Sequence, residues 1–210
     1  MKRQFLAGLD LGQERDYSAL AVVERREEED GWDAARYAVK RRARLWVRHL
    51  ERIPLRTSYP AVVERVRGAM EGLAAEGRTR LAVDGTSGRP AVDLLRAARK
   101  GWELWAATIT SGSPGGGPSG GYYRVGKRDL VVGLQVMLER RELQVAKGLT
   151  LGKALARELV EVEERGTKLG AFGEGRHDDL VTALSLACWM GRQVWGRRLS
   201  GPAGWWVREE

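Results

Sequence analysis

Several things are scarce in this chain, and each scarcity excludes something. One cysteine among 210 residues, Cys188, rules out an internal disulfide, and its place in an apolar C-terminal stretch makes it a core residue. No apolar run approaches the roughly 20 residues that a bilayer requires. The opening Met1-Lys2-Arg3-Gln4 leads directly into a strand pattern and lacks a signal peptide's apolar segment and cleavage site. A cytoplasmic location, with no membrane partner, is the default expectation. Lysine is also rare: it supplies 7 of the 36 basic residues, and arginine the other 29. With 28 acidic residues the net charge is +8. The planar fork of arginine suits bidentate phosphate contacts, so nucleic acid is the first partner to consider. Genome composition or growth at high temperature would produce the same excess. No internal repeat is present.

What remains is ordinary globular material, 43% hydrophobic and 30% charged, enough for one domain over residues 1–197 and a loose tail over 198–210. Residues 4–11 read as a buried strand, 17–24 as a second and 36–49 as a third, with the acidic run 26–30 as a solvated hairpin tip. Short connections make these an antiparallel meander. Thr57 and Ser58 offer a cap, Pro60 an early-turn proline, and Val62, Val63, Val66, Met70 and Leu73 a helical stripe closed by Gly77. A strand over 80–84, a helix over 88–100 and a strand over 102–109 follow, the two strands parallel to the first. Residues 111–121 hold six glycines and two prolines and predict a flexible loop inside the domain. Helices over 127–140, 150–164 and 177–195 close the chain, with a short strand over 142–146 and a second glycine-rich loop over 166–176.

Three features stand out chemically. The apolar run at 5–11 carries Asp10, the run at 81–83 ends in Asp84, and Asp178 and Asp179 open the last helix. Carboxylates beside a core are costly unless paired or metal-bound, and hard oxygen donors suit magnesium or manganese rather than zinc. Each has a plainer reading: Asp10 and Asp84 as turn residues, Asp178 and Asp179 as helix caps that complement the dipole. Asp16 reads as a brace for the first turn more than as a ligand, and His177 as a capping residue or an aid to proton transfer. The stretch Gly121 to Lys127 matches the spacing of a phosphate-binding loop. Arg128 stands where the magnesium-binding hydroxyl belongs, and no strand is predicted ahead of it, so that reading is set aside.

In their order and spacing the motifs Gly8-Leu9-Asp10-Leu11-Gly12, Asp16-Tyr17-Ser18-Ala19, Val83-Asp84-Gly85, Gly126-Lys127-Arg128-Asp129-Leu130 and His177-Asp178-Asp179-Leu180-Val181 resemble the ribonuclease H-like superfamily. More narrowly, they resemble the nuclease domain of phage terminase large subunits. The resemblance implies an α/β fold with a central mixed sheet of five or more strands, an antiparallel 1-2-3 meander and helices on both faces. It implies a metal-dependent DNA endonuclease in viral DNA packaging, with two Mg²⁺ or Mn²⁺ ions. Asp10 would bridge the ions, Asp84 would complete one site, and Asp179 or Asp178 the other. Neighbouring helical residues diverge by about 100°, so only one of the two can face the strand carboxylates squarely; Asp179 is the preferred ligand, with Asp178 as cap or second ligand. Lys127 would touch the scissile phosphate of double-stranded DNA. The two glycine-rich loops would follow its backbone through Arg124, Lys168 and Arg176, beside Tyr122 and Tyr123. Terminase large subunits carry an ATPase domain ahead of the nuclease, so an isolated domain or a free-standing phage or prophage nuclease is expected here, with a packaging motor as partner. A Holliday-junction resolvase and a catalytically inactive DNA-binding module are the alternatives. An actin-like or sugar-kinase ATPase would need a second such domain.

Overall fold

The computed structural model describes residues 3–12, 16–86, 89–112, 121–165, 168–171 and 177–195. Strands β1 (Arg3–Asp10), β2 (Ser18–Asp33) and β3 (Ala38–Ile53) form the antiparallel meander. Helix α1 (Tyr59–Glu76), β4 (Gly77–Asp84), α2 (Arg89–Ala98) and β5 (Glu103–Thr110) follow, with β4 parallel to β1 and β5 parallel to β4. Beyond them lie β6 (Tyr122–Gly126), α3 (Lys127–Glu139), β7 (Leu143–Val145), α4 (Gly152–Glu161), the hairpin β8 (Val162–Arg165) with β9 (Lys168–Ala171), and α5 (Asp179–Trp195). The main sheet has seven strands in the order β6-β5-β4-β1-β2-β3-β7. No described helix is long and apolar enough to cross a membrane.

Alternation along β1 explains why its sequence is apolar on both faces. Phe5, Ala7 and Leu9 join Leu81, Val83 and the buried sides of α1 and α2 in one core. Leu6 joins Ala82 and α3, α4 and α5 in the other. A strand buried on both sides reads as a continuous apolar run. Helix α5 is apolar almost all round: Leu180, Val181, Ala183, Leu184, Leu186, Ala187, Cys188, Trp189 and Met190 are all buried. It lies close against the sheet at Gly8, where a Cβ would lie 1.9 Å from the Ala183 carbonyl oxygen and 2.8 Å from the Ala187 nitrogen. Only glycine lets β1 and α5 meet at that depth.

Three local expectations are corrected. The acidic run 26–30 is not the hairpin tip. β2 and β3 continue as a two-stranded ribbon to Asp33 and Ala38, because the acids find arginines across the ladder, Glu28 opposite Arg42 and Glu29 opposite Arg41. Glu28 also receives Arg44 and, at 2.8 Å, the indole N–H of Trp46. Residues 122–126, where no strand is expected, form β6, which pairs in parallel with β5. That strand occupies the interior of the apparent phosphate-loop match, which is therefore no loop at all. Helix α4 stops at Glu161, and part of the expected second loop is the β8–β9 hairpin. At α1, Ser58 sits at the cap without a side-chain bond, while the Thr57 hydroxyl donates to the Pro54 carbonyl at 2.6 Å. The tail 198–210 lies outside the described residues.

Gly8→Ala is expected to push α5 off the sheet. Overpacking of this kind destabilises by on the order of 3 kcal/mol, roughly a 6–12 °C fall in Tm for a chain of this size, readable by differential scanning calorimetry. An unchanged melting temperature would contradict the close contact.

Candidate active site

Strand register builds the site. Leu9 pairs with Val83, so Asp10 and Asp84, one residue further along, stand side by side at matched ends of β1 and β4. Strand alternation turns both toward the α5 face, with Leu6 and Gly8 on one strand and Ala82 on the other. The same rung continues on both sides. Asp10 pairs with Ala19 and Ala19 with Arg52, while Asp84 pairs with Ala107 and Ala107 with Tyr123. Above it sits the start of α5. The Asp178 carbonyl accepts the Thr182 N–H at 2.8 Å, making Asp178 the cap and Asp179 the first helical residue. Helix N-termini favour anions through unpaired N–H groups and the dipole.

The electrostatics show that these acids share one field. Burial holds the Asp10 carboxyl well above the usual carboxylate range, and the charges of Asp84, Asp178 and Asp179 push it further, against Lys127. Burial also raises Asp84, opposed by the hydroxyl and backbone N–H of Thr86 and by Lys127. The Thr86 N–H donates to Asp84 Oδ1 at 2.8 Å. Asp179 is raised by burial and held down by Arg52, whose Nε donates to Asp179 Oδ2 at 2.8 Å. Lys127 Nζ donates to Asp178 Oδ2 at 2.7 Å.

With four carboxylates on two strand ends and one helix start, the whole arrangement can be compared with solved structures. The chain superposes on the large terminase nuclease from thermophilic phage G20c with TM-score 0.58 and 21% identity, covering 88% of this chain and 81% of that one. It superposes equally on the Mn-soaked, inhibitor-bound human cytomegalovirus terminase nuclease domain, at TM-score 0.58 and 14% identity, with 94% and 86% covered. The Mn-soaked form of that domain gives 0.56 at 14% identity over the same shares. The fold is that of a terminase nuclease domain. No protein-family model and no curated protein matches the sequence.

On this terminase-nuclease fold, Asp84, Asp178, Asp179 and Lys127 all lie within electrostatic reach of Asp10. His177 joins them at the edge: its ring meets Tyr17 edge-on at 5.5 Å between centroids, and its Nδ1 lies 3.8 Å from Asp179 Oδ1. Asp16 is exposed, and the bond spanning the first turn runs instead from the Gly12 N–H to the Ser18 hydroxyl at 3.1 Å. Arg124 is exposed on β6 and shares the sheet face of Tyr122, toward α2, whereas Tyr123 packs with α5. Lys168 lies in β9 with its side chain outside the described residues, and Arg176 lies outside them altogether. Among the described residues, no three His, Cys, Asp or Glu side chains are gathered into a ready cation cage. Lys127 and Arg52 each draw one of the helix acids to themselves. The donor set still suits a hard divalent cation: it is all carboxylate, and three of its members are raised by burial that a cation's charge would offset.

Sequence reasoning missed three contributors. Arg52 falls beyond the predicted end of the third strand. Its guanidinium lies over the Tyr17 ring at 5.2 Å and bonds Glu158 as well as Asp179. Glu158 is 3% exposed, its carboxyl pushed up to about 7 by burial and by Asp179. The signal for it was a charged residue three places after Leu155, on the buried stripe of α4. Thr86, which braces Asp84 and accepts the Ile109 N–H at 2.8 Å, had no signal beyond its nearness to Asp84.

Asp10 gives a pH test. The folded state binds its proton more tightly than the unfolded chain, so Asp10's own contribution to stability is level below about pH 3.8 and grows more unfavourable as pH rises above that value. In chelator, Asp10→Asn is expected to gain Tm over wild type, little at pH 4 and progressively more toward pH 8. The gain should be roughly 3–5 °C for each tenfold difference in proton affinity. A gain that does not vary with pH would contradict the crowding of charge at this position.

Proposed function

We propose that the chain is a Mg²⁺- or Mn²⁺-dependent endodeoxyribonuclease that hydrolyses phosphodiester bonds of double-stranded DNA with two ions. The observation that carries this is Asp10 and Asp84 side by side on adjacent parallel strands beneath a helix start bearing Asp178 and Asp179. The likeness to two terminase nuclease domains, one of them seen in two Mn-soaked structures, supports it.

Each side chain has a part set by its place. Asp10 lies between Asp84 and the two helix acids and feels all three charges, which suits a carboxylate shared by both ions. Asp84, held by Thr86, would complete one position, and Asp178 with Asp179 the other. Two ions, when bound, supply an activated water and offset the charge on the departing 3′ oxygen. Lys127, exchangeable from Asp178, would meet the scissile phosphate, helped by the positive end of α5. His177, beside Asp179, is placed to carry a proton at the rim. Arg124, Lys168 and Arg176 would contact the phosphate backbone without reading bases. In this reading the domain cuts DNA for a viral packaging motor, in the host cytoplasm and with an ATPase domain as partner.

Nicking of supercoiled plasmid with Mn²⁺ tests the core claim. Asp10→Ala is expected to lose at least about 10³-fold in rate, since Lewis-acid stabilisation supplies several kcal/mol and each 1.4 kcal/mol is tenfold. Asp84→Asn and Asp179→Asn should follow. Metal-stimulated cutting confined to four-way junctions would transfer the chain to the resolvases, and no cutting of any DNA would leave only the fold.

Lys127→Ala is expected to weaken DNA binding in chelator. It should also reduce the slope of log affinity against log salt by about 0.9, the value for one lost phosphate contact on B-form DNA. An unaltered slope would remove Lys127 from the DNA track.

A further inference from the structure

The proposed ions explain the carboxylates but not Arg52 and Glu158, which lie in the same place and touch no reacting atom. We propose that Arg52 is a positioning residue, clamped by Glu158, that fixes the Asp179 carboxylate in the orientation needed to bind a divalent cation with Asp10. This rests on the nuclease reading above and names residues that it leaves unused.

The geometry carries the inference. Arg52 stands on the Asp10–Ala19 rung, two strands from Asp10 and so roughly 10 Å away along the sheet, and the small side chain of Ala19 leaves the path between them open. From there the guanidinium meets Asp179 with two nitrogens, Nε to Oδ2 at 2.8 Å and Nη2 to Oδ1 at 3.5 Å. A fork of this kind fixes the plane of a carboxylate, which a single ammonium cannot do. Arg52 is itself held in place. Tyr17 covers its face at 5.2 Å, and Glu158 takes Nη2. The other oxygen of Glu158 accepts the Val181 N–H at 3.0 Å, so a residue of α4 satisfies one of the open donors in the first turn of α5. One arginine thus ties β3, α4 and α5 together at the point where α5 presents its acids. Asp178 has no such anchorage: its carboxylate is 27% exposed against 7% for Asp179, and its ion-pair partner Lys127 is 31% exposed. The two neighbouring acids are therefore unequal, Asp179 set rigidly and Asp178 free to exchange.

The experiment compares wild type with Arg52→Lys, Arg52→Gln and Glu158→Gln by Mn²⁺ titration of thermal stability, DNA binding in chelator, and nicking as a function of Mn²⁺. Arg52→Lys keeps the charge and loses the fork. It is expected to fold, to raise the Mn²⁺ concentration for half-maximal stabilisation by about 10–100-fold, the range for groups that orient a metal's ligands, and to leave DNA affinity in chelator unchanged. Its nicking rate should recover at high Mn²⁺. Glu158→Gln should shift the Mn²⁺ requirement in the same direction by less, and Arg52→Gln by more if it remains folded. A folded Arg52→Lys with a wild-type Mn²⁺ midpoint would overturn the proposal. So would weaker, less salt-dependent DNA binding in chelator, which would make Arg52 a DNA contact. If wild type itself shows neither stabilisation nor nicking with Mn²⁺, the nuclease reading fails, and this proposal with it.

Discussion

Mutual repulsion among four carboxylates is the constraint that the surrounding structure answers. Asp84, Asp178 and Asp179 all act on Asp10 at the edge of a core, where burial already penalises the charge of Asp10, Asp84 and Asp179. Each is met by a specific opposing group: Thr86 at Asp84, Lys127 at Asp178, Arg52 at Asp179. Asp10 has the weakest answer: among the described residues, the charge of Lys127 is what opposes its rise. It is also the acid in the middle. A site that stays strained at its centre and satisfied at its rim is disposed to accept a cation where the strain is greatest.

Position comes from topology as much as from charge. Adjacent parallel strands end at the same level, so two apolar runs that each lead to an aspartate place those aspartates together once the register is set. The helix that brings the other two acids has to lie directly on β1, and the missing side chain at Gly8 permits it. Its largely apolar surface follows, because the sheet lies on one side and α3 and α4 on the other. Chemistry at the tip of α5 therefore depends on packing along its whole length.

The acids were legible in the sequence because each interrupts a hydrophobic pattern: Asp10 and Asp84 where strands run out, Asp178 and Asp179 where a helix begins. The meander and the parallel order of β1, β4 and β5 were legible for the same reason. Arg52 was not, as one arginine among 29, distinguished only by what the ladder places beside it. Glu158 was half visible, a charge on the buried stripe of α4 that marks a buried partner without naming it. Strand β6 was hidden by the glycines before it, although Tyr122, Tyr123 and Val125 carry the aromatic and branched character of a strand. Alternation along that strand also separates Arg124 from Tyr123, which no reading of neighbours in sequence would do.

The β2–β3 ribbon has a consequence of its own. Past Arg25 on one strand and before Leu45 on the other, the ladder has no third strand among the described residues, so both outer edges are open to any extended chain. Open edges of this length invite aggregation. Here the acids of one strand and the arginines of the other leave no apolar stretch along either margin, and an incoming strand would have to strip water from charge at nearly every step. The apolar exposure that remains is confined to the far end, where Trp32 and Tyr37 stack edge-on at 5.4 Å. The sequence thus keeps a long, exposed β-arm from acting as a seed.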